Sequence, residues 1–263
     1  MGWLILKVLE YQILNKFFKC KEEFQLSLSF LSRVPFGKLS NPIPTISNAC
    51  WAFPLCGVLI GSLIYLTFWF LIYVKVSLFI SVILALAFGV LVTGGLHEDG
   101  LADSCDGIFG GKNIKSRLSI MTDSNIGTYG VLSLIIIFSL RVFILSEFEV
   151  NLSGFISFIS IAATSRLSML FILFYLPPAK KSGLGFNAKI KNYRSLLIAC
   201  IFSFLLLALN SFLGMYILLS MCLVLLIIMY VSWKSIKGQT GDICGASQQL
   251  TETLGWFTVV YLY

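Results

Sequence analysis

The chain has 263 residues, of which 58% are hydrophobic and only 12% are charged. Soluble domains carry about 25% charged residues, so this composition excludes an ordinary soluble domain and favours an integral membrane protein. The net charge of +7 does not call for a nucleic-acid partner, because Lys and Arg accumulate in the cytoplasmic loops of membrane proteins. The seven cysteines form no CxxC pair and are interpreted as small core residues.

The first 50 residues are predicted to form a cytoplasmic or interfacial segment. Apolar residues recur at helical spacing over residues 3–18, with lysines among them, and this pattern is typical of an amphipathic helix at a membrane surface. A second short helix is predicted over 24–34, because Pro35 cannot continue it. The prolines within 41–45 indicate a loop.

The rest of the chain, residues 51–263, is predicted to be a single membrane domain. Its fifth apolar run is too long for one crossing of a hydrocarbon core of ~30 Å, so we divide it near Asn210. The predicted spans are 51–74, 76–96, 129–146, 152–176, 195–210 and 211–233, followed by a polar loop at 234–249 and a short apolar segment at 250–263. The predicted fold is an all-α, polytopic membrane helix bundle of about six to seven spans with a cytoplasmic acidic loop.

The basic residues predict the orientation of these spans. If the spans alternate from an inside N-terminus, nearly all of the 19 Lys and Arg residues fall on one side, as expected for cytoplasmic loops. The same side then holds the acidic stretch at 94–130 and the polar loops at 178–194 and 234–249. Three polar segments far apart in sequence are therefore predicted to share a site.

Two arginines, Arg141 and Arg166, lie inside predicted spans, where a charge is costly unless it is paired. Arg166 is expected to face the bundle interior, against a carboxylate or a substrate phosphate. Arg141 is expected to pair with Glu147 or to extend its guanidinium to the membrane interface.

The stretch at 94–130 concentrates the polar chemistry and holds the single histidine, His97. Asp99, Asp103 and Asp106 follow the spacing i, i+4, i+7, which places three carboxylates on one face of a helix. Like charges this close favour a bound cation, and oxygen ligands favour Mg²⁺, then Mn²⁺ or Ca²⁺. Because protein-bound Mg²⁺ commonly contacts substrate phosphates, a phosphate or diphosphate ester is predicted as the ligand. The alternative interpretation is a solvated acidic helix end.

Several motifs in this order resemble those of the cobalamin synthase family, the adenosylcobinamide-GDP ribazoletransferases. The longest is TGGLHEDGLADSCDGIFGG at 93–111. The others are SRVP at 32–35, FPLCG at 53–57, RLSIMTDSNIGTYG at 117–130, SR at 165–166, GLG at 183–185 and GQTGDICGASQ at 238–248. Ser119 departs from the family pattern, in which a glutamate is common. The resemblance covers residues 25–255.

The resemblance implies an Mg²⁺-dependent transferase at the cytoplasmic face of the bacterial inner membrane. Its substrates would be adenosylcobinamide-GDP and α-ribazole or its 5′-phosphate, its products adenosylcobalamin or the phosphate and GMP. The bilayer is the expected partner, nucleic acid is not, and homo-oligomerisation is left open. The candidate residues are Asp99, Asp103, Asp106 and Asp123 for the metal, His97, Asp106 and Arg166 for catalysis, and Arg33, Arg117, Gly185, Asp242 and Gln248 for substrate binding.

Two other functions remain as alternatives. Asp103, Asp106 and Gly107, followed by Asp123, are similar to part of the motif of CDP-alcohol phosphotransferases, although the remaining arginine and glycine spacing is not reproduced. A cation-coupled transporter would need carboxylates near the middle of the membrane and internal repeats. The sequence shows no repeat, and its acidic residues lie at the end of a predicted span.

Overall fold

The computed structural model describes residues 2–35, 37, 39 and 43–261, with side chains described from residue 14 onward. This part of the chain is helical, with one isolated β-bridge between Pro178 and Gln239. The helices are α1 (Gly2–Leu31), α2 (Ile46–Ala49), a 3₁₀ turn (Cys50–Ala52), α3 (Phe53–Tyr73), α4 (Leu78–Thr93), α5 (Leu96–Cys105), a π-helical turn (Asp106–Gly110), α6 (Ile114–Ile120), α7 (Thr128–Ser146), α8 (Leu152–Tyr175), α9 (Leu184–Asn187), α10 (Tyr193–Ala208), α11 (Ser211–Ile236) and α12 (Gly241–Tyr261).

Four of the described helical segments are long and apolar enough to cross a membrane. They are Ile46–Tyr73, which contains α3, and the helices α7, α8 and α11. Helix α4 gives a fifth span only if it is counted together with α5, and α10 is shorter than the four. By length and composition the protein is thus a polytopic membrane helix bundle with four or five spans, fewer than the six to seven predicted.

The chain turns sharply between α4 and α5, whose axes meet at 92°. Gly94 and Gly95 both have left-handed backbone conformations, with φ of 67° and 70°, which glycine adopts without steric cost. The Gly95 N–H group donates a hydrogen bond to the Val90 carbonyl oxygen at 3.0 Å, and α4 ends there. The helix predicted to span the membrane over 76–96 therefore ends at this turn, and α5 runs almost perpendicular to α4.

Helix α8 is the centre of the bundle, with 83% of its apolar stretch buried inside the protein. Helix α3 approaches it closely because Gly57 and Gly61 lie at the contact with Ala162. A Cβ atom on Gly57 would collide with the backbone of Ala162 and Ala163. Small residues bring membrane helices together in this way, because close backbone approach maximises packing.

The N-terminal region differs from the prediction of two short helices over 3–18 and 24–34. The structure has one continuous helix, α1. The residues between the two patterns, KCKEE at 19–23, include neither glycine nor proline and are mostly strong helix formers. The amphipathic pattern of 3–18 lies largely on side chains outside the described part of the chain, as do residues 41 and 42 of the predicted loop.

The C-terminal region also differs, because the predicted loop at 234–249 is mostly helical. Helix α11 continues to Ile236 and α12 begins at Gly241, which leaves a short link at 237–240. The polar residues that suggested a loop, including Gln248 and Gln249, are buried. Their side chains form hydrogen bonds inside the bundle rather than with solvent, so the polarity of this stretch was not evidence of a loop.

Gly57→Val should lower the thermal unfolding temperature of the detergent-solubilised protein. The new side chain would overpack the contact between α3 and α8 and cost ~1–3 kcal/mol. Ala87→Val on the exposed side of α4 is the matched control and should leave the unfolding temperature near that of the wild type. Equal unfolding temperatures for both variants would contradict the close helix contact.

Candidate active site

One buried carboxylate, that of Glu252 on α12, pairs with two arginines. Its Oε2 atom lies 3.4 Å from Nη2 of Arg141 on α7, and its Oε1 atom accepts a short hydrogen bond from Nη1 of Arg166 on α8. Arg141 also donates to Thr253 Oγ1 at 2.8 Å and to the Gln249 carbonyl at 3.0 Å. All three charged side chains are at most 5% exposed, so this network fixes α12 against α7 and α8.

These contacts change the interpretation of both intramembrane arginines. Arg141 pairs with Glu252 and not with Glu147 or the membrane interface, so that prediction was wrong. Arg166 was expected to face a carboxylate or a substrate phosphate, and in the structure it pairs with the carboxylate of Glu252. Its side chain lies in the core and is 2% exposed. Glu252 was not among the predicted site residues, although two arginines inside spans signalled that a buried carboxylate was needed.

The same network extends to α5 through Glu98. Its Oε1 atom accepts a hydrogen bond from Gln249 Nε2 at 3.0 Å. Gln248, predicted to bind substrate, is fully buried and lies 3.4 Å from Ser165 Oγ. Helices α5 and α12 approach each other closely at two glycines. A Cβ atom on Gly100 would be only 3.1 Å from the Cα atom of Gly245. This contact brings the acidic end of α5 beside the N-terminus of α12.

The loop after α8 reaches the same place through backbone hydrogen bonds. Gln239 N donates to the Pro177 carbonyl at 2.8 Å, and Ala179 N donates to the Gln239 carbonyl at 2.9 Å. The bridge holds Lys180 close enough for its charge to act on Asp103 and Asp242. The three polar segments that the sequence analysis placed on one face thus meet in one site.

A cavity with two parts lies at this junction. The first part, which we call the apolar lobe, has a volume of about 90 Å³ and is lined by Phe30, His97, Asp99, Met169, Leu173 and Ala188 among others. The second, the polar lobe, has a volume of about 240 Å³ and is lined by Thr122, Lys180, Ser182, Gln239 and Thr240 among others. Leu184, Gly185, Gly241 and Asp242 line both lobes, so the two lobes adjoin one another.

His97 lies on α5 and is 1% exposed. Burial lowers the pKa of its imidazole well below the usual value, and the charges of Arg166 and Arg141 lower it further. The ring is therefore neutral at physiological pH. Its Nε2 atom is buried and has no hydrogen-bond partner among the described residues, which leaves it available to a ligand.

Asp99 and Asp242 line the cavity, and the negative charges of both act on Asp103. Burial raises the pKa of Asp103 to about 7, and the negative charges of Asp99, Asp242 and Asp106 contribute. Burial also raises the pKa of Asp242. A positive charge placed among Asp99, Asp103 and Asp242 would relieve this repulsion.

Asp106 and Asp123 are engaged elsewhere. Both carboxylate oxygens of Asp106 accept backbone hydrogen bonds at the start of α7, from Gly127 N at 2.7 Å and Gly130 N at 2.8 Å. Asp123 is fully exposed after α6, where Asn125 bonds to it through its backbone N and Nδ2 atoms. The regular helix changes to a π-helical turn at Asp106, and the charge of Asp106 still acts on Asp103.

The donor set of the site suits a divalent cation that shares its ligands with a substrate. No group of three or more His, Cys, Asp or Glu side chains in the described part of the chain is arranged to hold a metal ion by itself. Mg²⁺ usually takes only one or two carboxylates and completes its shell with waters and phosphate oxygens. One or two of the carboxylates of Asp99, Asp103 and Asp242 would meet this requirement.

Of the remaining predicted substrate-binding residues, Arg117 and Arg33 do not line the cavity, whereas Gly185 does. Arg117 donates to the Gly111 carbonyl at 3.0 Å and to the Ser235 carbonyl at 2.9 Å, so it joins the loop before α6 to the end of α11. Arg33 is exposed and lies against Gly94 at the turn into α5. Gly185, by contrast, lines both lobes, where its backbone carbonyl accepts a hydrogen bond from Gln239 Nε2 at 2.9 Å.

Glu252→Gln should destabilise the protein by ~3–5 kcal/mol, because it leaves two buried guanidinium groups without their shared counter-charge. Thermal unfolding of the purified protein measures this loss. Glu147→Gln, at an exposed glutamate after α7, is the control and should be neutral. A Glu252→Gln variant as stable as the control would refute the pairing.

Asp106→Asn should also destabilise the protein, by ~1.5–3 kcal/mol, because one backbone N–H would then face an amide NH₂ group instead of a carboxylate oxygen. Asp123→Asn should change stability little, since that side chain is exposed. Hydrogen exchange at Gly127 and Gly130 locates the effect, and we expect faster exchange there in Asp106→Asn alone. Unchanged exchange at both amides would contradict this assignment.

Comparison with known proteins agrees with the motifs. The family model of cobalamin-5-phosphate synthase matches residues 23–260. An adenosylcobinamide-GDP ribazoletransferase of Sinorhizobium medicae (strain WSM419) is 36% identical over 238 residues, which are 86% of this chain and 91% of the relative. A protein of the same name from Vibrio parahaemolyticus is 34% identical over 248 residues, 92% of this chain and 93% of the relative. No solved structure matches. The chain belongs to the cobalamin-5-phosphate synthase family.

Proposed function

We propose that the protein joins adenosylcobinamide-GDP to α-ribazole or its 5′-phosphate and releases GMP, with adenosylcobalamin or its phosphate as the product. Family membership supports the reaction. The observation that carries the proposal is the position of Asp242, which lines both lobes of the cavity and lies within electrostatic reach of Asp99, Asp103 and Lys180. Carboxylates and a lysine at the junction of two binding lobes suit a reaction between an alcohol and a diphosphate.

In this reaction the ribazole 5′-hydroxyl oxygen forms a bond to the phosphorus on the cobinamide side. The bond between that phosphorus and the oxygen bridging to GMP breaks, and GMP leaves with the bridging oxygen. The hydroxyl proton passes to a carboxylate of the cluster that does not hold the cation. Lys180 contributes a positive charge beside the diphosphate, where phosphoryl transfer requires it.

We further propose that two of the carboxylates of Asp99, Asp103 and Asp242 hold Mg²⁺. When bound, this ion would neutralise the diphosphate and the leaving GMP. Asp242 takes the place that the sequence analysis gave to Asp106 and Asp123, because those two side chains bond elsewhere. Arg166 acts from within the core by positioning α8 against α12.

The location of the reaction is also a proposal. Several apolar helices make this a membrane protein, and the relatives come from bacteria. We place the protein in the bacterial inner membrane with the cavity on the cytoplasmic side. The concentration of Lys and Arg in the loops that carry the cavity supports this orientation.

The proposal is tested by supplying the protein, purified in lipid nanodiscs, with adenosylcobinamide-GDP, α-ribazole and Mg²⁺. GMP and a corrinoid carrying ribazole should appear in equal amounts. A parallel reaction with a CDP-alcohol and a second alcohol tests the phospholipid-synthase alternative. Release of CMP there, with no GMP in the first reaction, would overturn the proposed function.

Asp103→Asn should lower kcat by about 100-fold or more, because it removes charge from the group that stabilises the reacting phosphates. Asp123→Asn is the matched control and should keep turnover within about twofold of the wild type. GMP release measured over a range of Mg²⁺ concentrations distinguishes the two variants. A large loss in Asp123→Asn would return Asp123 to the set of metal ligands predicted from the sequence, and full activity in Asp103→Asn would contradict the proposed site.

A further inference from the structure

We infer that a cavity outside the candidate active site binds the phosphate headgroup of an anionic phospholipid, whose acyl chains lie along α10. The cavity, which we call the basic pocket, is an open cleft with a volume of about 730 Å³. Three cationic side chains line it, those of Lys189, Lys191 and Arg194. None of its described lining residues also lines a lobe of the active-site cavity, so the inference does not depend on the proposed function.

The basic pocket is formed by two segments that are far apart in sequence. Ser47 Oγ on α2 accepts hydrogen bonds from Lys191 N at 2.8 Å and Asn192 N at 3.1 Å. Asn192 Nδ2 donates to Asn48 Oδ1 at 3.1 Å, and Ser195 Oγ donates to the Asn48 carbonyl at 3.0 Å. These bonds join α2 to the start of α10, so the pocket is part of the fold and not a loose cluster of surface lysines.

The protein does not neutralise the positive charge of this pocket. No Asp or Glu is among its described lining residues, and neither Lys191 nor Arg194 forms an ion pair with a described residue. Lys189 Nζ is held in place by the carbonyls of Phe174 at 2.7 Å and Leu176 at 3.0 Å. Because an ammonium group has three N–H donors, one remains for a ligand. Phosphate oxygens accept charge-assisted hydrogen bonds of this kind.

An exposed apolar stripe on α10 begins at the basic pocket. Ile198, Ile201 and Leu205 follow Arg194 at i+4, i+7 and i+11, which places all four side chains on one face of the helix. The three apolar side chains are more than half exposed, and in a membrane protein such a face contacts lipid. Tyr193, beside Arg194, is also exposed and is of the residue type that accumulates at membrane interfaces.

The length of this stripe fits one leaflet of a bilayer. Eleven residues from Arg194 to Leu205 extend about 16 Å at 1.5 Å per residue. One half of a hydrocarbon core of ~30 Å has nearly the same thickness. A lipid whose phosphate lies at Arg194 therefore places its acyl chains against Ile198, Ile201 and Leu205.

The combination of pocket and stripe determines the class of ligand. A soluble phosphate compound would contact only the basic pocket, whereas a phospholipid contacts the pocket and the stripe together. A headgroup with net negative charge, such as that of phosphatidylglycerol, is favoured over phosphatidylcholine, because the choline cation would face three cationic side chains. Basic pockets between membrane helices bind anionic headgroups for this reason.

The test is a titration of the full-length, detergent-solubilised protein with phosphatidylglycerol or phosphatidylcholine of identical acyl chains, followed by native mass spectrometry. The first phosphatidylglycerol should bind at least about tenfold more tightly than the first phosphatidylcholine. Combined Lys191→Gln and Arg194→Gln substitutions should raise the Kd for phosphatidylglycerol about 30-fold. Combined Lys112→Gln and Lys115→Gln substitutions remove the same charge from exposed residues elsewhere and should leave this Kd unchanged.

A charge-preserving variant separates lost charge from lost structure. Combined Lys191→Arg and Arg194→Lys substitutions keep both positive charges and should bind phosphatidylglycerol within about threefold of the wild type. Equal binding of the two lipids by the wild type would overturn the inference. So would equal values of Kd for phosphatidylglycerol in the two glutamine double variants.

Two further measurements test the source and the position of the ligand. Glycerol 3-phosphate, which has the phosphate and no acyl chain, should bind at least about 100-fold more weakly than phosphatidylglycerol, because it lacks the apolar contacts. Equally tight binding of glycerol 3-phosphate would identify a site for soluble phosphates and overturn the lipid assignment. A phosphatidylglycerol with a photoreactive acyl chain should crosslink to residues 197–205 in the wild type. Undiminished crosslinking there in the variant with Lys191→Gln and Arg194→Gln would also contradict the inference.

Discussion

The structure depends on a carboxylate shared by two cations in a bundle surrounded by lipid. Arg141 and Arg166 enter the core from different helices, and Glu252 balances part of their charge. Glu98 acts on Arg141 from α5, so two carboxylates face two guanidinium groups. Each group would be very costly in this environment without the others. Together they hold α5, α7, α8 and α12 in one arrangement.

This arrangement determines where the reactive side chains lie. Helix α5 turns away from α4 at two glycines with left-handed backbone and then crosses α12, where Gly100 and Gly245 allow close approach. Asp99 therefore lies beside Asp242, although the two residues are far apart in sequence. The β-bridge at Gln239 adds the loop that carries Lys180. The charged core thus positions a cavity whose chemistry is supplied by other residues.

Much of this could be predicted from sequence, because the signals are local or statistical. Apolar runs indicated the helix bundle, the distribution of Lys and Arg grouped the polar segments, and the i, i+4 spacing paired Asp99 with Asp103. The i+7 spacing does bring Asp106 close enough for its charge to act on Asp103, but it does not show that the N–H groups of Gly127 and Gly130 bond the Asp106 carboxylate or that a π-helical turn begins there. These are tertiary features that residue spacing does not encode.

The C-terminal helix α12 was also predicted only in part, because its buried polar contacts are tertiary. Its polar residues suggested a loop, because the sequence does not show that their partners lie on α5, α7 and α8. Glu252 was therefore not among the predicted site residues, and the start of α12 was placed too late. Buried polar networks are specified by partners distant in sequence, and they are the part of a membrane bundle that hydropathy describes least well.

Iron-mediated backbone cleavage tests the central claim most directly, that carboxylates from α5 and α12 converge on one cation. Fe²⁺ is substituted for Mg²⁺ in the full-length protein in nanodiscs, and ascorbate with hydrogen peroxide then generates radicals that cut the chain close to the metal. The account predicts cuts near Asp99 and Asp103 and a second group near Asp242, all suppressed by excess Mg²⁺. Cuts near Asp123 with none near Asp242 would contradict it.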